Sequence, residues 1–145
     1  MIDIKKLDEL ENMTGCQLVP YGNCAGVNLD NRNLSGMDLV GINLEDASIR
    51  EANLSNTYLT NAKLTNAFIR TTNLNSAILD NADLSNSYFA DNSIVGASLV
   101  NADLSQTRSM WNNLTDADLY GADLSNADLR WSDFSNAKLD YADIY

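Results

Sequence analysis

A five-residue repeat constrains this chain more than any other feature of its sequence. From residue 29 to residue 144, every fifth residue is Leu, Ile or Phe at 23 of 24 positions, and the exception is Ser109. Two residues before these central positions, from residue 47 to residue 142, Ala, Ser or Thr stands at 18 of 20 positions, and Asn92 and Asn112 are the exceptions. A period of five matches neither the period of about 3.6 of an α-helix nor the period of about 2 of a β-strand. Such a regular period predicts a solenoid.

The segment ADLYG-ADLSN-ADLRW, which begins at Ala117, shows the repeat most clearly. It resembles the pentapeptide-repeat family, whose consensus is A(D/N)LXX, and the resemblance extends over residues 22–145. The resemblance implies the family fold, an all-β right-handed quadrilateral β-helix with four pentapeptides in each coil. We therefore expect about six coils of twenty residues, with the central and small residues pointing inward and the other three positions facing water.

The first residues of the chain do not follow the repeat. Ile4, Leu7 and Leu10 lie three residues apart, which predicts a short helix. We interpret this helix as a cap, because an uncovered coil end exposes apolar side chains and strand edges. A partner-binding helix is the alternative. The predicted organisation is a capping α-helix over residues 1–13, a connector over residues 14–23 and the β-helix over residues 24–145.

Both cysteines lie at the start of the chain. Cys24 is in phase with the central positions, so its side chain is expected to point inward. We favour a small buried thiol at this position. The alternative is a disulfide between Cys16 and Cys24, which implies an oxidising compartment. Two cysteines in a chain without His make no convincing zinc site, and we predict no metal and no cofactor.

The period of twenty divides the β-helix into four faces. We number them by their central residues in one coil, so that face one contains Leu44, face two Ile49, face three Leu54 and face four Leu59. Asn92 and Asn112 are twenty residues apart and are expected to form an inward ladder of amides, each bonded to its neighbour or to the backbone.

Face two carries the outward residues that depart furthest from the repeat, and we call them the face-two patch. The patch is a cluster of aromatic, Arg and Met side chains, which is typical of interaction hot spots. The alternative is that the rings and guanidinium groups stack to stabilise the outer surface. Its members are Phe68, Tyr88, Arg108, Met110, Trp111, Trp131, Arg50, Arg70 and Arg130.

Face one carries an acidic column, formed by Asp83, Asp103, Asp123 and Asp143. Like charges at strand spacing repel, so we do not expect the column to serve stability. It is either Asp in place of the consensus Asn or an anionic surface for a basic partner. The net charge of the chain is −11, and the 11 acids and 3 bases of residues 73–145 account for −8 of it. This balance argues against direct binding of nucleic acids and of anionic membranes.

The composition excludes most catalytic arrangements. The chain has no His, no phosphate-binding loop and no glycine-rich dinucleotide fingerprint. We therefore predict that it is not an enzyme, but a structural or protein-interaction module with an unknown protein partner. The resemblance implies an alternative function, since some family members mimic B-DNA in width and charge and bind type II topoisomerases such as DNA gyrase.

The last coil and the first segment bear on assembly and location. The sequence stops at Tyr145, so the last coil is expected to expose Leu129, Phe134, Leu139 and Ile144. We favour a weak homodimer through this C-terminal coil. A docked partner, or a plug formed by Tyr141 and Tyr145, is the alternative.

No segment reads as a transmembrane helix or a signal peptide, which predicts a cytoplasmic protein, or a protein of the periplasm or thylakoid lumen if a leader was removed.

Overall fold

Residues twenty apart in the sequence lie above one another in a right-handed quadrilateral β-helix. A computed structural model describes residues 15–145, and the predicted capping helix lies outside the described residues. Parallel bridges join Lys63 to Asp83, Asp83 to Asp103 and Asp103 to Asp123, and similar bridges occur on all four faces. The predicted twenty-residue coil is therefore confirmed.

Face two contains the three regular strands of the described chain. These are β1 (Ser48–Arg50), β2 (Phe68–Arg70) and β3 (Tyr88–Ala90), and they form a parallel sheet in the order β1-β2-β3. The other faces pair through isolated bridges, because the chain turns a corner after every few residues. The Tyr21 N–H group, which lies inside the predicted connector, already donates to the Val40 carbonyl at 2.8 Å.

Each corner is a turn in which one residue adopts a left-handed backbone conformation. Every fifth residue from Tyr21 to Tyr141, always two after a central position, has φ between 55° and 73°. At most corners the carbonyl of the central residue accepts a hydrogen bond from the N–H group three residues later, as Leu79 does from Ala82 at 3.0 Å. This is the pattern of a type II turn, which favours Gly and Asn at the left-handed position. The frequent Gly and Asn at these positions follow from that requirement.

The central and small residues fill the interior, as the sequence predicts. The central residues from Cys24 to Leu124 are at most 3% exposed. Phe89 and Ser109 are stacked neighbours in the same column, and both are buried. The exception is the last coil, where Leu139 is 40% exposed and Ile144 is 59% exposed.

Four consecutive corners of face two lack the usual turn bond, and an inward polar ladder replaces it. The central residues at these corners are Ile49, Ile69, Phe89 and Ser109, and their carbonyl groups accept no hydrogen bond from the N–H group three residues later. Each carbonyl instead accepts a hydrogen bond from a side chain of the next coil. Thr72 donates to the Ile49 carbonyl at 2.6 Å and Asn92 donates to the Ile69 carbonyl at 3.1 Å. Asn112 donates to the Phe89 carbonyl at 2.6 Å and Ser132 donates to the Ser109 carbonyl at 2.7 Å.

Three of these side chains, those of Asn92, Asn112 and Ser132, also accept hydrogen bonds from backbone groups. The Thr72 N–H group donates to Asn92 Oδ1 at 3.0 Å, and the Asn92 N–H group donates to Asn112 Oδ1 at 2.9 Å. The Asn112 N–H group donates to Ser132 Oγ at 3.1 Å. The predicted amide ladder is therefore present, and its bonds run to the backbone. It satisfies the buried donors and acceptors that the open corners release.

The cysteines form a disulfide, and the buried thiol that we favoured is not found. Cys16 and Cys24 are bonded to each other and are 3% and 2% exposed. Cys24 points inward, as its register predicts, and its sulfur lies 3.5 Å from the Gln17 carbonyl oxygen. Sequence spacing alone could not decide the pairing, because it depends on how residues 16–22 fold back onto the first coil.

The polar ladder generates a stability prediction. Replacing Asn112 by Ala removes a donor to Phe89 O and an acceptor for the Asn92 N–H group, and we expect a loss of about 2–4 kcal/mol. Asn112→Ser is the matched control, because Ser132 performs both roles in the next coil. It should lose less than half as much. Urea unfolding measures both values, and equal losses would show that the ladder bonds do not stabilise the fold.

Candidate functional site

The structure brings all nine residues of the face-two patch onto one outer surface. Phe68, Tyr88 and Arg108 occupy successive coils in the column before the central residue, where they are ladder neighbours. Trp111 occupies the corner position of the coil that contains Arg108, and Trp131 occupies the corner position of the next coil. Since residues twenty apart are separated by only about 4.8 Å, side chains of successive coils contact each other directly.

The aromatic side chains of the patch form two stacked pairs. The ring centroids of Phe68 and Tyr88 are 4.6 Å apart with an interplanar angle of 11°, and those of Trp111 and Trp131 are 4.7 Å apart with an angle of 8°. Phe68 is 39% exposed, Trp111 49% and Trp131 62%. The two pairs therefore hold their rings in fixed positions and leave large apolar surfaces in contact with water.

Both tryptophans occupy left-handed corner positions, with φ values of 56° and 61°. A residue with a side chain pays about 1–2 kcal/mol for this conformation, which Gly and Asn adopt more easily. The corner geometry therefore gives no reason for Trp at these two positions. Stacking between Trp111 and Trp131 offsets part of the cost.

The arginines of the patch are mostly paired with acids. Ion pairs join Arg50 to Asp30 at 2.6 Å, Arg70 to Asp91 at 2.9 Å and Arg130 to Asp128 at 2.7 Å. The guanidinium carbon of Arg130 also lies 4.9 Å from the ring centroid of Trp131, and that of Arg50 lies 5.9 Å from Phe68. Arg108 takes part in none of the four ion pairs found within residues 15–145.

The acidic partners make the outer surface of face two electrically neutral. Its outward positions carry the four bases Arg50, Arg70, Arg108 and Arg130, and the four acids Asp30, Glu51, Asp91 and Asp128. The net charge of −11 therefore lies on the rest of the molecule. Sequence reasoning overlooked these acids. The available signal was spacing: Asp30 stands twenty residues before Arg50, in the same column, and Asp128 stands two residues before Arg130.

Asp30 is the most buried acid of the four ion pairs, with 13% of its side chain exposed. Its carboxylate accepts hydrogen bonds from Ser48 Oγ at 2.7 Å, from the Arg50 N–H group at 2.8 Å and from the Arg50 guanidinium group at 2.6 Å and 2.9 Å. Burial alone would raise the pKa of Asp30, but these hydrogen bonds and the charge of Arg50 outweigh it and lower the pKa below its ordinary value. Asp30 in turn raises the pKa of Arg50.

The acidic column is continuous on face one, and a local hydrogen bond holds each of its carboxylates. Our expectation that the charges of the column do not serve stability stays a prediction. In each member, Oδ1 accepts a hydrogen bond from the N–H group two residues later, at 3.0, 2.9, 2.9 and 3.1 Å along the column. This is the Asx-turn arrangement, which stabilises the chain entering a corner. Hydrogen bonds from Ser125 lower the pKa of Asp123. Burial alone would raise the pKa of Asp83, but hydrogen bonds from Ser85 and Thr65 and the charge of Lys63 outweigh it and lower the pKa. Asp83 and Asp123 therefore remain ionised at neutral pH.

Other kinds of site are not supported by the described residues. Residues 15–145 contain no group of three or more His, Cys, Asp or Glu side chains placed to hold a metal ion. They also contain no helix with the length and apolar character needed to cross a membrane. A shallow open depression lies on face two, lined by Arg50, Glu51, Arg70 and Thr71. The predicted homodimer through the C-terminal coil stays a prediction.

A family model described as pentapeptide repeats matches the sequence in eight copies. The matched segments are residues 23–66, 70–106 and 113–145, which together make up most of the chain. The chain belongs to the pentapeptide repeat family. No curated protein matches the sequence. The pentapeptide repeat accounts for the columns described above, because each outward position recurs at the same place in every coil.

Solved structures of other pentapeptide repeat proteins are similar to this chain. A protein from the thylakoid lumen of Arabidopsis thaliana has 26% sequence identity and a TM-score of 0.62, and the match covers 74% of this chain and 71% of that one. Rfr23 from the cyanobacterium Cyanothece 51142 has 22% identity and a TM-score of 0.46, over 93% and 98%. QnrB1, a plasmid-mediated fluoroquinolone resistance protein, has 18% identity and a TM-score of 0.36, over 81% and 77%.

The lowered pKa of Asp30 predicts a pH dependence of stability. Because the pKa is lower in the folded state, the stabilisation is present above the ordinary pKa of about 3.9 and is lost as the pH falls through the folded value. We expect Asp30→Asn to cost about 1–3 kcal/mol at pH 7, and this difference should shrink as the pH falls below the ordinary pKa of Asp. Urea unfolding at several pH values measures it, with the exposed Asp140→Asn as the control. A cost for Asp30→Asn that is the same at pH 7 and at low pH would contradict the assignment.

Proposed function

We propose that this pentapeptide repeat protein is a protein-interaction module that binds its partner through the face-two patch. The observation that carries this proposal is the pair Trp111 and Trp131. Both are about half exposed or more, both are stacked in a fixed orientation, and both stand at corners where the left-handed backbone favours Gly and Asn. Strained residues that the fold does not need are found most often at functional sites.

The chemistry of the patch supports a protein partner. Trp, Tyr and Arg are the residues that most often dominate protein–protein binding energy. The rings already stack on one another, so binding requires little ordering of side chains and loses little conformational entropy. Because Arg50, Arg70 and Arg130 are already paired with acids, a partner can cover these three arginines without burying them as unpaired charges.

The centre of the patch lies around Trp111, Met110 and Arg130. The Arg130 guanidinium group lies over Trp131, donates to Asp128 and approaches the Met110 sulfur at 3.9 Å. Removing the Trp131 ring therefore also frees the guanidinium group from its present position. We expect truncation of both tryptophans to weaken binding by far more than the loss of other exposed aromatic side chains.

The test is an affinity capture with cross-linking from the source cells, using the wild type and two variants. Trp111→Ala/Trp131→Ala should lose the captured partner, because it removes the centre of the patch. Tyr58→Ala is the matched control, since Tyr58 is 49% exposed like Trp111 but lies on face four. It should capture the same partner as the wild type. Thermal unfolding of each variant verifies that it is folded.

A partner that binds the double Trp variant as tightly as the wild type would contradict the proposal. The affinity for the purified partner then gives the quantitative result, and we expect at least a tenfold increase in Kd for the double variant. A loss of binding for Tyr58→Ala alone would place the contact on face four instead.

The second candidate function is binding to a type II topoisomerase such as DNA gyrase as a mimic of DNA. The observation that favours it is the acidic column, whose four carboxylates follow one another from coil to coil. Asp103→Asn/Asp123→Asn is a sharp test, because Asn can accept the same turn bonds without the charge. If the wild type affects gyrase supercoiling and this variant does not, the mimic is supported. No effect of the wild type would count against it.

The location of the protein also enters the proposal. Sequence reasoning favoured the cytoplasm, with the periplasm or the thylakoid lumen as the alternative. The Cys16–Cys24 disulfide supports an oxidising compartment, because disulfides are rare in reducing cytosol. Fractionation of the source cells, followed by thiol labelling of the protein in each fraction, tests this part.

A further inference from the structure

The first coil is closed by the disulfide at its beginning. Cys24 occupies the central position of face one in the first coil, below Leu44, and Cys16 is joined to it across a sequence separation of 8. The Tyr21, Cys24 and Gly26 N–H groups donate to carbonyl groups of the second coil at 2.8, 2.8 and 2.7 Å. The disulfide therefore connects the incoming chain to the same coil that these hydrogen bonds hold.

The segment between the two cysteines packs tightly. The Gln17 carbonyl accepts a hydrogen bond from the Val19 N–H group at 2.9 Å, and the Val19 carbonyl accepts one from Gly22 at 3.0 Å. A Cβ atom on Gly22 would overlap the Gln17 carbonyl oxygen, so only Gly fits there. The Tyr21 ring covers Gly41, where a Cβ atom would collide with it. Closure of this loop thus places Tyr21 against the second coil.

We propose that the Cys16–Cys24 disulfide is a redox-controlled lock on the first coil. When it is oxidised, residues 16–24 are held as a closed loop and the first coil stays paired with the second. When it is reduced, the first coil opens while the later coils stay folded. A solenoid permits this, because each coil contacts only its neighbours and a terminal coil opens without the rest. The number of folded coils in the β-helix then depends on whether Cys16 and Cys24 are oxidised or reduced.

The reaction is a two-electron exchange with an external dithiol. A thiolate of the dithiol attacks one sulfur of the Cys16–Cys24 bond, which breaks and leaves a mixed disulfide and one cysteine thiolate. The second thiol of the reductant then displaces the other cysteine. Two electrons and two protons pass to Cys16 and Cys24, which become thiols, and the reductant becomes a disulfide.

Burial of the two sulfurs decides when this reaction can take place. Cys16 is 3% exposed and Cys24 is 2% exposed, so an attacking thiolate cannot reach either sulfur while the loop is closed. Transient opening of the terminal coil must come first. We expect dithiothreitol to reduce the folded protein at least tenfold more slowly than the same protein unfolded in urea. The lock therefore resists brief exposure to reductant.

Hydrogen exchange of the full chain, followed by mass spectrometry, tests the proposal. The samples are the oxidised protein, the protein reduced with dithiothreitol, and Cys16→Ala/Cys24→Ala. On reduction, the amides of Tyr21, Cys24 and Gly26 should exchange at least tenfold faster. The amides of Leu99 and Leu104, which donate to the neighbouring coil at 2.7 Å, should not change.

The controls separate the lock from other effects. The double Ala variant should resemble the reduced wild type and should not respond to dithiothreitol. If that variant does not fold, the reduced wild type alone decides. Unchanged protection in the first coil, or an equal loss of protection in all coils, would overturn the proposal. So would a protein that is purified from an oxidising compartment with both thiols free to react with iodoacetamide.

Discussion

Backbone hydrogen bonding between successive coils is the interaction on which the rest of this structure depends. The Leu79 N–H group donates to the Ser98 carbonyl at 2.7 Å in the coil above, and the Asp83 N–H group donates to the Ala62 carbonyl at 2.9 Å in the coil below. Because this pairing repeats every twenty residues, each side chain has neighbours of the same position in adjacent coils. The core is a set of apolar columns, and the surface is a set of polar, aromatic and charged columns.

Much of this could be predicted from the repeat. Only one assignment of inward and outward positions to the five-residue period buries the apolar residues. The buried columns from Leu29 to Leu124 and the stacking of Trp111 on Trp131 follow from spacing alone. The left-handed corners were not predicted from the sequence, although Gly and Asn occupy many of them. Recognising them requires knowledge of the turn bond, and Trp or Thr at a corner conceals the pattern.

Other features depend on side-chain geometry that a periodic pattern does not contain. Asn92 and Asn112 replace small residues because the corners of face two are open, and each amide pairs with the backbone groups left there. The acidic column looked destabilising when only charge was considered, but each carboxylate accepts a backbone hydrogen bond. The pairing of Asp30 with Arg50 needs both the column spacing and the direction in which the long Arg side chain leans. The face-two patch thus consists of outward positions at which the fold does not determine the type of residue.

The most direct test of this account measures the free energy of unfolding of two variants. One places a charge in a buried column, and the other removes a charge from a surface column. Leu79 is 1% exposed in the column that runs from Leu59 to Leu99, so Leu79→Asp buries an unpaired carboxylate and should cost about 3–5 kcal/mol. Asp103→Asn keeps its turn bond and should change the free energy of unfolding by about 0.5 kcal/mol or less. Urea unfolding of the two variants gives both values. Equal stabilities would contradict the stacked-coil assignment of inward and outward residues.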